Sequence, residues 1–159
     1  MPRKVSWALL ALTVVLASIW HLQTQWNYRA FVRTAQGLAL QLAEAALEET
    51  PERVRVRFTL ILTNSTAHAI PVEGASCLLY AGQEFVGPCV VSADVPAVVP
   101  PHEEWRLPVV TEITGHYLEM YRETQAGGVR VQGSVQVELP VGGDFVKVTR
   151  RFHELIPKR

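Results

Sequence analysis

The stretch Arg53 to Thr63 restricts the fold more than any other part of this chain, because apolar and polar residues alternate through it. Val54, Val56, Phe58, Leu60 and Leu62 fall on one side, and Arg53, Arg55, Arg57, Thr59 and Thr63 on the other. Successive strand side chains point to opposite faces, so this period of two predicts a β-strand with one face in a core. Val129 to Leu139 repeats the pattern, with Val129, Val131, Val135, Val137 and Leu139 set against Arg130, Gln132, Ser134, Gln136 and Glu138.

Weaker strand signals lie around these two. Asn64-Ser65-Thr66 marks a turn after the first run, and a strand is predicted from about Ile70 to Tyr80. Ala81-Gly82-Gln83 turns that strand into another from Phe85 to Ser92. Pro96, Pro100 and Pro101 bound a loop, Trp105 to Ile113 returns to strand, and Pro108 places that strand at an edge or a bulge. Gly142-Gly143-Asp144 makes a hairpin turn into Phe145 to Phe152. Gly115 to Gln125 has helical spacing, with Tyr117, Leu118 and Tyr121 placed to dock on a sheet. Short alternating strands at regular spacing predict an antiparallel β-sandwich carrying one short helix.

The N-terminal residues belong to a different class. Val5 to Trp20 carry no charge, and a helix from Val5 to about Leu22 would rise about 27 Å, close to the roughly 30 Å of bilayer hydrocarbon. Arg3 and Lys4 precede it, Trp7 sits near one end, and Trp20, Trp26 and Tyr28 near the other, as an aromatic belt would. The expectation is a single-pass signal-anchor at 5–22 with residues 1–4 in the cytoplasm and membrane lipid as its partner. A helical stalk would follow at 23–36, and an extracytoplasmic β-domain, periplasmic or at the cell surface, at 37–159. A cleaved secretory signal, with Val15-Leu16-Ala17 as a weak cleavage site, is the alternative. Leu38 to Leu47 stays open: its leucines alternate like a strand, whereas Ala43 to Glu49 favours helix.

Charge and cysteine content narrow the function classes. Fifteen basic residues balance fifteen acidic ones, so the basic excess of a nucleic-acid binder is lacking. At 48% apolar the chain is too hydrophobic for disorder, and with two cysteines it is no disulfide-rich miniprotein.

The segment Arg53 to Phe152 resembles the WHy domain (water stress and hypersensitive response), also called the group-two late embryogenesis abundant domain. Its carriers are the strand from Val54 to Thr63 running into Asn64, then Ile70-Pro71-Val72, and Leu79 to Gly87 with its aromatic, glycine and aliphatic-glycine hairpin. Val95-Pro96 and Gly133-Ser134-Val135 complete the likeness, which covers about two-thirds of the chain; Ser65 stands where the family has proline after the asparagine. The resemblance implies an immunoglobulin- or fibronectin-III-like sandwich of about seven strands, no catalytic centre, an association with stress tolerance or defence, and often an N-terminal anchor. It also implies an extra strand before the long alternating one, which tips Leu38 to Leu47 toward strand.

Few residues suggest chemistry. Cys77 and Cys89 flank the turn at Gly82-Gln83, so a hairpin would bring them together as a disulfide, or as two buried thiols. The histidines at 21, 68, 102, 116 and 153 lack metal-ligand spacing, and no Gly-x-Ser-x-Gly elbow or phosphate loop is present. No cofactor or metal is therefore expected. Arg53, Arg55 and Arg57 form a row that either faces solvent or meets anionic headgroups or a partner. Trp105 is either core or a partner anchor. Asn64-Ser65-Thr66 also matches a glycosylation acceptor. The expected function is a non-enzymatic, membrane-anchored binding, scaffolding or accessory module, in envelope or desiccation-type stress protection. A tethered carrier of lipid or another small apolar ligand is the alternative.

Overall fold

The computed structural model describes residues 2–89, 91 and 97–158, with the side chains of 2–6 and 8 left aside. The side chains of Arg3 and Lys4, read as a topology signal, are thus left aside, and the run of the fourth predicted strand to Ser92 and Val95-Pro96 lie outside the described residues. Among those described, the chain is mainly β, with eight strands in two antiparallel sheets and two helices. Helix α1 spans Pro2–Gln36 and strand β1 Leu38–Glu49. Strands β2 (Val54–Asn64), β3 (Ile70–Ala81), β4 (Glu84–Cys89), β5 (Ala97–Val99) and β6 (Glu104–Ile113) follow. Helix α2 (Gly115–Glu123) then leads into the long hairpin β7 (Gly128–Val141) and β8 (Asp144–Pro157).

One sheet runs β1-β2-β6 and the other β4-β3-β7-β8, with β5 paired to β3. Both alternating segments bury their apolar side: Val54, Val56, Phe58, Leu60 and Leu62 from β2 and Val129, Val131, Val135, Val137 and Leu139 from β7 join one core cluster. Each such side chain contributes about 1.5–3 kcal/mol relative to an exposed one. Pro108 sits in β6, an edge strand, where a missing backbone donor is tolerated. The β7–β8 turn is made by Gly142 and Gly143, both at positive φ (59° and 98°), a conformation glycine adopts at little cost.

Strand β1 settles the open question at Leu38 to Leu47 against local helix preference. It pairs with β2 from Leu38↔Asn64 to Glu49↔Val54, and the register shifts between Ala43 and Ala46. The bulge, with Glu44 at φ 54°, adds a residue and resets the alternation. Leu38, Leu40 and Leu42 before it, and Ala45 and Leu47 after it, therefore all reach the core. Ladder bonds and burial along β2 outweigh the propensity of Ala43 to Glu49.

The N-terminal expectation is corrected. Among the described residues, no helix is long and apolar enough to cross a membrane. The single-pass anchor, the extracytoplasmic placement derived from it, and membrane lipid as a partner of this helix lose their basis. Among the described residues the fold is eight strands and two helices, in place of an anchor followed by about seven strands and one helix.

Residues 23–36 complete α1, and their last turns are seated on the β-domain. Phe31 and Ala35 pack against the core, and Thr34 is buried. Arg150 of β8 donates a hydrogen bond to the Ala35 carbonyl, which places a cation at the helix C-terminus. Gly37 alone separates helix from strand, and its carbonyl accepts from the Ser65 amide at 2.8 Å.

Candidate functional site

The arginine row lands on the outer face of the three-stranded sheet, where it meets carboxylates. Arg53 and Arg55 both contact Glu112 of β6, at 3.1 and 2.9 Å, and Arg57 pairs with Glu48 of β1. The Arg55 guanidinium, with Arg53 beside it, holds the Glu112 carboxyl below the usual carboxylate range. Arg106 pairs with Glu104 at 3.0 Å on the same sheet. This face is therefore largely neutralised from within. Trp105 is half-buried and packs against the core opposite Leu62. Trp7, Trp20, Trp26 and Tyr28 are exposed along α1.

Cys77 and Cys89 are register partners on β3 and β4, with Cα atoms 5.0 Å apart, and they form a disulfide buried in the core. Asn64, the residue of the glycosylation match, is fully buried in the folded chain. Its amide nitrogen faces the carbonyls of His68 (2.8 Å), Pro100 (2.9 Å) and Val99 (3.1 Å), and its oxygen accepts from the Thr66 amide and hydroxyl.

A polar notch of about 440 Å³ opens at one end of the sandwich, between the β1–β2 turn, α2 and the end of β8. Lys158 lies 2.6 Å from Glu49, the Tyr121 hydroxyl donates to the same carboxylate, and Arg122 donates to the Pro51 carbonyl at 2.6 Å. Burial opposes ionisation of Glu49, but the hydrogen bonds from Lys158 and Tyr121 and the charges of Lys158 and Arg122 outweigh it and hold its pKa down. Burial, then the Glu49 hydrogen bond, pushes the Tyr121 phenol well up and keeps it protonated. These groups are spent on one another, so the notch reads as a clasp joining β1, α2 and β8. Among the described residues, no group of three or more His, Cys, Asp or Glu is placed to hold a metal ion.

The outer face of the five-stranded sheet differs in kind. Register places Phe85 of β4, Tyr80 of β3, Arg130 of β7 and Leu155 of β8 in one outward row across four strands. The Arg130 guanidinium lies 5.4 Å from the Tyr80 ring centroid, Tyr80 meets Phe85 edge-on at 5.9 Å, and Phe85 meets Tyr117 of α2 at 5.5 Å. Leu78 shares this face, opposite Gln132, and is 42% exposed; Leu155 is 60% exposed. Tyrosine, phenylalanine and arginine are enriched in protein interfaces, and tyrosine and arginine among their hot spots. The sequence concealed this row because its four members come from three separate segments. The one local signal was that Tyr80 and Phe85 flank the Gly82 turn.

No family model matches the chain, and no curated protein matches it. Among solved structures it is similar to a protein from Archaeoglobus fulgidus, with a TM-score of 0.48 and 13% identity over 76% of this chain and 98% of that one. It is also similar to Northeast Structural Genomics Consortium target SoR45, with a TM-score of 0.48 and 12% identity over 74% of this chain and 86% of that one. A third is AT1g01470 from Arabidopsis thaliana, with a TM-score of 0.47 and 15% identity over 76% of this chain and 82% of that one. These likenesses carry no functional argument.

Proposed function

We propose that this chain is a non-enzymatic β-sandwich binding module, acting as a scaffold or accessory subunit for a protein partner that seats on the outer face of the five-stranded sheet. The observation that carries the reading is the Phe85–Tyr80–Arg130–Leu155 row beside exposed Leu78. A rigid aromatic and cationic surface of this kind loses little entropy when it binds. The contrast with the other sheet supports the choice of face, since the outward arginines there are already paired. The resemblance to the WHy domain supports a role in desiccation-type stress protection and a module without catalysis.

The experiment is co-purification of the tagged full-length chain in two forms. Leu78→Ser/Leu155→Ser removes the two exposed leucines of the proposed face, and Val110→Ser removes an exposed apolar residue of the other sheet. The expected result is a stoichiometric partner with the native chain and with Val110→Ser, lost from the double variant at an unchanged melting temperature. Retention of the partner by the double variant, or a native chain that stays alone, would refute the reading.

A further inference from the structure

The same face also indicates the chemistry of what it binds, and this inference rests on the reading above. Arg130 and Arg151 both point outward, on β7 and on β8 opposite Ser134. Among the described residues neither has an ion-pair partner, whereas each outward arginine of the other sheet lies against a glutamate. The far end of the face is neutralised too, where Lys147 reaches Glu73 at 2.7 Å and Glu138 at 3.9 Å. The arginines without an ion-pair partner on this face thus lie in the row that carries Tyr80, Phe85 and Leu155 and, four positions along β8 from it, opposite Ser134. Acids near that row are Glu84, at the tip of the β3–β4 hairpin, and Glu154, beside Leu155 on β8 but alternating to the opposite side of the strand.

We propose that the partner presents an acidic extended segment, with carboxylates alternating with apolar side chains, and that Arg130 and Arg151 receive the carboxylates. The Arg130 guanidinium lies against the Tyr80 ring, which orients its terminal donors for a planar, bidentate acceptor. Leu155 is the register partner of Arg130 and Leu78 lies two positions along β3 from Tyr80, while Arg151 lies four positions along β8 from Leu155, so the leucines supply apolar contacts between the two cations for the alternate side chains. Paired cations elsewhere would have to give up a glutamate first; these two give up only water.

The test uses the full-length chain and a fluorescein-labelled peptide alternating glutamate with leucine, compared with its glutamine isostere by fluorescence anisotropy. The glutamate peptide should bind about tenfold more tightly at low salt, with most of that advantage lost near 0.5 M salt. Arg151→Gln, an exposed site that leaves the fold intact, and Arg130→Gln should each erase most of the advantage, whereas Arg106→Gln on the other sheet should not. Equal binding of the two peptides, weakened in both by Leu78→Ser/Leu155→Ser, overturns the acidic class while leaving this face as the interaction surface. Binding of neither peptide overturns the proposal, as does tighter binding of a labelled single-stranded oligonucleotide at the same two arginines.

Discussion

The side-chain amide of Asn64 hydrogen-bonds the backbone carbonyl of Val99 at 3.1 Å, across 35 residues of sequence. Through it and the adjacent Pro100 bond, the end of β2 is tied to β5, and the loop between β2 and β3 is tied to both. Asn64→Asp, nearly the same in shape, turns two donors into acceptors facing carbonyl oxygens. A loss of about 2–4 kcal/mol is expected, read as a lower urea midpoint at unchanged m-value. The burial also predicts an unmodified Asn64 when the chain is expressed in a glycosylating host, checked by intact mass.

Gly133 marks a close approach of backbones inside the five-stranded sheet. A Cβ there would fall against the Ser76 carbonyl oxygen, 2.5 Å from the Phe152 ring and 2.8 Å from the Cys77 Cβ. Because backbone cannot give way as a flexible side chain can, Gly133→Ala should cost about 2 kcal/mol or more. Gly143→Ala, with open space around the added carbon but a positive φ, should cost less, about 1 kcal/mol. Thermal melts of the two variants side by side test the ranking.

The disulfide between Cys77 and Cys89 closes a short loop, with a sequence separation of 12. Its removal in Cys77→Ala/Cys89→Ala should lower stability by about 2–3 kcal/mol, mainly by freeing the unfolded chain. Denaturant curves of the double variant and the oxidised native chain give the difference directly. Coincident curves would show that the bond adds nothing beyond the two buried side chains.

Glu49 makes acid stability asymmetric. Its folded pKa lies below the ordinary 4.5, so the stability it contributes is present above that value and is lost as pH falls through the folded one. Glu49→Gln should therefore be less stable than the native chain near neutral pH and should lose less on acidification below about pH 4.5. Melting temperatures taken from pH 7 down to pH 3 should converge at the acid end. Parallel curves would remove Glu49 from the acid transition.

Legibility in the sequence followed locality. Strands β2 and β7 were readable because one face of each is core and the other is not, and a period of two records that directly. Strand β1 was ambiguous because its bulge shifts the period midway, and because pairing with β2, set by residues up to 26 positions away, decides its state. The arginine row was visible as a row, but its neutralisation by Glu112 and Glu48 depends on which strands became neighbours. Tyr80, Phe85 and Arg130 were hidden for the same reason. The apolar N-terminal run promised a membrane span, yet among the described residues no helix is long and apolar enough to cross a membrane, and the last turns of α1 are enlisted by the core.

The junction at Gly37 carries a mechanical meaning. A single residue separates α1 from β1, with Arg150 holding the Ala35 carbonyl on one side and Ser65 holding the Gly37 carbonyl on the other. Such a joint has no slack to absorb a pull. Tension or torque applied along α1 enters the sandwich at the first rung of β1, where Leu38 faces Asn64, so the residue that staples β2 to β5 is also the first to bear the load.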